Sequence, residues 1–139
     1  MAINQQPIFP VAPTIDVANL TAPTALTTRA SITGTTGLTL LTATSTNGKH
    51  IDAIRVKSKA VTPAACNLFI WLYNGTTSFL YDEIDISAPT TPSTTVDSFM
   101  YEKTYAYLVL PPTYQLYVSV TVASANNTDL AVFAEGGVY

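Results

Sequence analysis

The sequence contains very little of the side-chain chemistry that catalysis and metal binding require. Among its 139 residues there is one histidine, His50, and one cysteine, Cys66. Catalytic sites that pair a nucleophile with a general base, and zinc sites, are commonly built from several histidine, cysteine or acidic side chains. One histidine and one cysteine cannot assemble these common sites. A single cysteine also excludes a disulfide within the chain, and its position inside an apolar run predicts a buried thiol. We therefore predict no enzymatic activity, no metal and no cofactor.

Charge and long apolar runs are also scarce. Only 11% of the residues are charged and the net charge is −3, which gives no general attraction to nucleic acid or to acidic membranes. The longest apolar run, residues 68–73, is the length of a strand and far short of the roughly 20 residues that cross a bilayer. The first residues lack the basic start and apolar stretch of a signal peptide. We expect neither a nucleic-acid nor a membrane partner.

The residues that are abundant favour β structure. Threonine occurs 23 times, and threonine, valine, isoleucine and tyrosine suit pleated strands better than helices. From about Ala25 onward, strand-like runs alternate with turn signals at a spacing of roughly 8 to 12 residues, which is typical of sandwiches. The predicted fold is all-β, an antiparallel β-sandwich or jelly roll of about seven or eight strands. Because 47% of the residues are hydrophobic, we also expect other chains to cover some apolar surface.

Two Asn-Gly pairs predict hairpins, since both residues tolerate the positive φ of a type I′ turn. Asn47-Gly48 would join residues 38–44 to residues 51–60. Asn74-Gly75 would join residues 66–73 to residues 76–86.

The second predicted hairpin has a specific register. A two-residue loop sets Tyr73 opposite Thr76 and Asn67 opposite Asp82. Both faces of the strand over residues 66–73 are then apolar, so one face should lie on the core and the other on a second layer or a subunit contact. The pattern leaves open which face is which.

The first 24 residues differ from the rest because prolines recur among apolar residues. Prolines spaced by three lie on one edge of a polyproline II helix, which makes no internal hydrogen bonds and needs an outside surface for order. The apolar residues between them favour docking on a neighbouring molecule, and a disordered tail is the alternative. We predict an extended N-terminal arm over residues 1–24, ahead of a β-sandwich domain over residues 25–139. The expected partner-binding residues of the arm are Pro7, Ile8, Phe9, Pro10, Val11 and Pro13.

Charged residues form two patterns along the predicted strands. Arg55, Lys57 and Lys59 share one face of a strand, opposite Ile54 and Val56, which would face the core. Glu83 and Asp85 share a face of another strand, with Asp82 on the opposite side. Each pattern is compatible with a solvated strand, and the acidic one also with calcium binding. The sharper hypothesis is that the basic face of one copy meets Glu83 and Asp85 of a neighbouring copy.

Tyrosines provide the last candidate surface. Tyr105 and Tyr107 are predicted to share a strand face, and exposed tyrosines suit both protein interfaces and sugar binding. Trp71, the only tryptophan, lies in the most apolar predicted strand. A position in the core or in an interface is therefore favoured for its side chain.

From Asn47 onward six segments follow one another in a distinctive order: Asn47-Gly48-Lys49, Ile54-Arg55-Val56-Lys57, Leu68-Phe69-Ile70-Trp71-Leu72-Tyr73-Asn74-Gly75-Thr76, Tyr81-Asp82-Glu83-Ile84, Leu110-Pro111-Pro112 and Ala134-Glu135-Gly136-Gly137. This order of elements resembles a family of small tailed-bacteriophage virion proteins of the head decoration, or cement, type. The resemblance implies an oligomeric antiparallel sandwich on the outer face of a capsid, made in the host cytoplasm.

Three functions are therefore considered. The first is a decoration protein that forms a homo-oligomer, with a trimer favoured, and binds the major capsid protein or other virion proteins through the arm and one apolar sheet face. The second is a tail, baseplate or fibre component. The third is a carbohydrate-binding module that uses Tyr105, Tyr107 and Tyr117.

Overall fold

The protein folds as two antiparallel sheets packed face to face. The computed structural model describes residues 12–21, 23–59, 64–87, 90–122 and 129–139, and these ranges contain nine strands and no helix. The all-β class predicted from the composition is confirmed. The strands are β1 (Ala12–Leu20), β2 (Ile32–Thr33), β3 (Thr39–Thr42), β4 (Lys49–Ser58), β5 (Cys66–Tyr73), β6 (Thr77–Ile86), β7 (Met100–Leu110), β8 (Gln115–Val120) and β9 (Leu130–Val138).

The strand order nests one antiparallel pair inside another. A four-stranded sheet, called the front sheet, has the order β1-β9-β4-β7, and a five-stranded back sheet has the order β2-β6-β5-β8-β3. The hairpin β5-β6 is the innermost pair, followed outward along the chain by β4-β7, β3-β8 and β1-β9. The outermost pair therefore joins the start of the described chain to its end.

The hydrophobic core lies between the sheets and follows the two-residue period of the strands. Ile54 and Val56 of β4 are fully buried in it, which confirms their predicted orientation. The back sheet contributes its own alternating set, Leu68, Ile70, Leu116, Val118 and Val120.

The segment assigned to an N-terminal arm contains a strand of the front sheet. β1 pairs with β9 along its whole length, and its Ala18 and Leu20 are buried in the core. The Asp16 carboxylate accepts a hydrogen bond from the buried Lys49 ammonium at 2.8 Å, which ties β1 to β4 across β9. Pro13 fits because β1 is an edge strand, where a missing backbone donor is tolerated. The described part of the predicted arm thus belongs to the sandwich, whereas Pro7, Ile8, Phe9, Pro10 and Val11 lie outside the described residues.

The hairpin predicted at Asn47-Gly48 is wrong. A turn forms there, with Gly48 at φ 89°, but β3 pairs with β8 in the back sheet and β4 pairs with β7 and β9 in the front sheet. The Asn-Gly pair specifies the local backbone, whereas burial of the apolar faces decides which strands become neighbours. The turn therefore carries the chain from one sheet to the other.

The hairpin predicted at Asn74-Gly75 is confirmed, but its register differs. The Asn74 side-chain oxygen accepts hydrogen bonds from the backbone N–H groups of Thr76 and Thr77 at 3.0 and 2.8 Å, which widens the loop and sets Tyr73 opposite Ser78. A bulge in β6 shifts the pairing again, because Trp71 faces Leu80 whereas Ile70 faces Asp82. Asn67 therefore lies opposite Asp85.

The outer face of the back sheet is covered by the chain itself. Phe69 and Trp71 point away from the core and are nevertheless 0% exposed. Residues 23–31, called the outer strap, cross this face from β8, where Leu26 N–H donates to the Val120 carbonyl at 2.9 Å, towards β2 beside β6. The Arg29 guanidinium lies 5.1 Å from the centre of the Phe69 ring and donates to the Glu83 carboxylate at 2.6 and 3.0 Å. Both apolar faces of β5 are thus buried within one chain.

Replacing Arg29 should loosen the outer strap. In the Arg29→Ala variant the strap loses its contacts with Phe69 and Glu83, so local opening becomes easier. We expect acrylamide to quench the fluorescence of Trp71 about twofold more strongly than in the wild-type protein. Arg55→Ala is the matched control, because Arg55 makes a similar ion pair on the front sheet and its loss should leave quenching unchanged. Equal quenching in all three proteins would show that Arg29 does not hold the strap.

Candidate functional site

An open apolar groove lies on the outer face of the front sheet. Its volume is about 370 Å³. Ile15 is 67% exposed, Val17 48% and Met100 59%, values that are high for large apolar side chains grouped on one face. The full lining is Ile15, Val17, Arg55, Lys57, Met100, Phe133 and Glu135. The outer strap has no counterpart on this face among the described residues.

Four neighbouring strands place the groove residues side by side. Val17 of β1 pairs with Phe133 of β9, which pairs with Arg55 of β4. Lys57 pairs with Met100 of β7 one step further along the sheet. Because successive side chains alternate between the faces, all of these residues point outward while their neighbours fill the core. The groove therefore depends on the strand order and joins residues far apart in the sequence.

The charges around the groove are only partly compensated. Arg55 donates to the Glu102 carboxylate at 2.7 and 3.0 Å, and its other terminal nitrogen lies 3.3 Å from a Glu135 oxygen. Lys57 is exposed and forms no ion pair with any described residue. The groove thus combines an apolar lining with one lysine that forms no ion pair in the described ranges, while two carboxylates share Arg55.

Most of the charged residues that were expected to meet a neighbouring copy have partners within the chain. Lys59 lies 3.0 Å from a carboxylate oxygen of Asp129, and Glu83 holds Arg29 of the outer strap. Hydrogen bonding to Arg29, against a smaller opposing effect of burial, keeps the pKa of Glu83 below its usual value. Of the predicted inter-copy set, Lys57 and Asp85 are the two without an ion pair in the described ranges.

A polar clasp joins the two sheets along one side of the sandwich. The Asp82 carboxylate of β6 accepts hydrogen bonds from Lys103 at 2.7 Å and from the Tyr105 hydroxyl at 2.8 Å, both on β7. Burial alone would raise the pKa of Asp82, but these two bonds and one from the Glu83 backbone N–H outweigh it and lower the pKa below 3.8. The sequence predicted that Asp82 faces away from Glu83, but it held no signal for its partners on β7.

The tyrosines do not form the single surface expected from the sequence. Three residues of β7 oppose one residue of β4 between the pairs Thr104–Ala53 and Leu108–Ile51, and this irregularity interrupts the alternation. Tyr105 turns towards the clasp whereas Tyr107 is 92% exposed.

Tyr117, the third member of the sugar-binding hypothesis, lies on β8 in the other sheet and packs edge-on against Tyr73 at 5.7 Å. The three tyrosines that a carbohydrate platform would use are therefore distributed over different parts of the molecule.

The histidine and the cysteine have separate surroundings. The His50 Nε2 atom lies 3.0 Å from an Asp52 oxygen, and the imidazole packs beside the Tyr139 ring. Cys66 is buried as predicted, and burial, together with the charge of Asp85, raises its pKa to about 11. Among the described residues no three His, Cys, Asp or Glu side chains are grouped so that they could hold a metal ion. The same ranges contain no helix long and apolar enough to cross a membrane.

Comparison with known proteins identifies no relative: no protein-family model, curated protein or solved structure matches the chain.

The polar clasp should make the free energy of unfolding depend on pH in the acid range. Because the pKa of Asp82 is lowered in the folded state, its stabilisation is present above pH about 4 and is lost as the pH falls through the folded pKa. Asp82→Asn should lower the free energy of unfolding by about 1–2 kcal/mol at pH 7, and the difference from the wild type should shrink between pH 5 and pH 2, as measured by urea denaturation.

Asp85→Asn is the control for this experiment, because Asp85 lies on the same strand and is exposed. Its effect should stay within about 0.5 kcal/mol. A loss in the Asp82 variant that is equally large at both ends of the pH range would contradict the assigned role of the carboxylate.

Proposed function

We propose that this chain is a structural protein of a phage virion, a head decoration protein that associates with itself and attaches to the outer surface of the capsid. It acts by binding and not by catalysis, and it uses no cofactor. The observation that carries the proposal is the difference between the two outer faces. In the part of the chain that the structure describes, one face is crossed by the outer strap, and the other carries an open apolar groove.

The strand order supports a jelly roll as the architecture. Apart from the two-residue β2, the strands form four nested antiparallel pairs. This is the order expected when one long hairpin is rolled into two facing sheets. Jelly rolls are common among viral capsid domains, and also among lectins. The architecture thus fits the proposal without selecting it alone.

The open groove supports an assembly role. Contiguous apolar surface of this kind marks interaction sites in soluble proteins. Specific association usually buries about 800 Å² on each partner, so the groove would form the apolar centre of a larger contact. A protein that binds only the assembled shell also stabilises that shell by mass action.

The phage assignment itself comes from the sequence resemblance. The residues that carry it include the turn at Asn74-Gly75 and the strand before it, which the structure uses as the innermost hairpin. The proposed partners are the major capsid protein and further copies of this chain, with a trimer as the favoured oligomer. A tail, baseplate or fibre component would use the same kind of surfaces.

Purified heads and purified tails of the same phage separate these possibilities. We expect the protein to sediment with heads and not with tails, and native mass spectrometry to show a trimer in the free protein. Sedimentation with tails would assign it to the tail. A monomer that binds neither particle would overturn the proposal.

A glycan array gives an independent check. We expect a blank array, because Tyr105, Tyr107 and Tyr117 lie on no common surface. Binding in the millimolar range or tighter, without attachment to heads, would favour the carbohydrate-binding alternative instead.

A further inference from the structure

We infer that the groove on the front sheet receives residues 3–9 of a second copy of this chain. The inference deepens the proposed function, because it names the occupant that links copies of the decoration protein. It rests on that function only in requiring that copies associate, and it can be tested without any capsid.

The shape of the groove favours an inserted segment over the same face of another copy. The site is a concavity of about 370 Å³. Two identical concave faces brought together would leave a void, and atoms that line a void lose their contacts. A narrow segment with protruding apolar side chains fills such a site. A convex, chain-like occupant therefore fits the groove better than the same face of another copy.

Residues 1–11 have the composition that this occupant needs. They contain no charged side chain, and Ile3, Ile8 and Phe9 are apolar. Burying them beside Lys57 leaves no second charge without a partner. The Lys57 ammonium carries three donors, which backbone carbonyls or the amide oxygens of Gln5 and Gln6 can accept. The segment thus matches the groove in both its apolar and its polar requirements.

The position of the segment favours a neighbouring copy over its own chain. Residue 11 directly precedes β1, whose Ile15 and Val17 line the groove further along the same strand. To reach its own groove, the chain would have to reverse direction before Ala12, where β1 begins.

The residues just before β1 are Phe9, Pro10 and Val11, which include no Gly, Asn or Asp to supply the positive φ of type II, I′ and II′ turns. Proline also disfavours the α conformation of the residue before it. A segment of nine residues would span about 25 Å in a polyproline II conformation. That reach is compatible with the groove of an adjacent molecule.

The first test places a charge in the groove of the full-length protein. Val17→Glu should weaken self-association about tenfold or more, as measured by analytical ultracentrifugation, because the longer side chain fills part of the groove and its carboxylate, even beside Lys57, loses water when an apolar segment covers it. Val109→Glu is the matched control, since Val109 is a similarly exposed valine, at 53%, outside the groove lining. It should associate like the wild type. Equal association of the two variants would overturn the inference.

The second test locates the occupant directly and does not depend on the stability of the glutamate variant. Ile8→Cys protein is mixed with Val17→Cys protein under mild oxidation, and the native Cys66 stays unreactive because it is buried and its pKa is raised to about 11. We expect a disulfide-linked dimer that contains one copy of each variant. The wild-type protein should give no dimer.

Other outcomes identify other occupants and overturn the inference. Dimers of Val17→Cys with itself would show that two faces meet. A disulfide formed only within a chain that carries both substitutions would show that the segment fills its own groove. Crosslinking of the mixture without attachment to heads would overturn the decoration function alone, and attachment to heads without crosslinking would overturn the inference alone.

Discussion

Strand β5 must bury apolar side chains on both of its faces, and the arrangement of the other elements follows from this constraint. The inward set, with Leu68 and Ile70, is buried against the front sheet. The outward set, Phe69 and Trp71, cannot face water at the same time, since each exposed aromatic would cost about 1.5–3 kcal/mol. The outer strap crosses this outward face with Arg29 packed on Phe69, and both aromatic side chains are fully buried. Among the described residues no such segment crosses the front sheet, so the two outer faces differ.

The two Asn-Gly turns show what local sequence can and cannot predict. Gly48 and Gly75 both adopt the positive φ that their sequence favours, so both turns were predicted correctly as turns. Only Gly75 lies in a hairpin, because strand partners are chosen by long-range burial. Register was missed for a related reason. The side chain of Asn74 widens the loop and a bulge near Tyr81 shifts the ladder, and neither effect is visible in the alternation of apolar residues.

The candidate site was predictable in part. Alternation along β4 correctly placed Arg55 and Lys57 on an outward face, because that inference needs one strand only. It could not bring Val17 or Phe133 beside them, since those residues come from opposite ends of the chain and meet through the pair β1-β9. Nor could it anticipate that Arg55 is held by glutamates of its own sheet. Residues within one strand are thus readable from the sequence, and sites shared between strands depend on the sheet order.

The nested strand pairs also have a consequence for how the protein folds during synthesis. The hairpin β5-β6 closes a short loop and can form as soon as its residues leave the ribosome. β9 is different, because it lies between β1 and β4 and hydrogen-bonds to both. The front sheet is therefore incomplete until residue 138 has been made. Strand β1 stays unpaired until its partner β9 has been translated. Such non-local closure makes folding slow and exposes an unpaired edge to association with other nascent chains. Chaperone dependence during synthesis would follow from the same strand order that creates the open face.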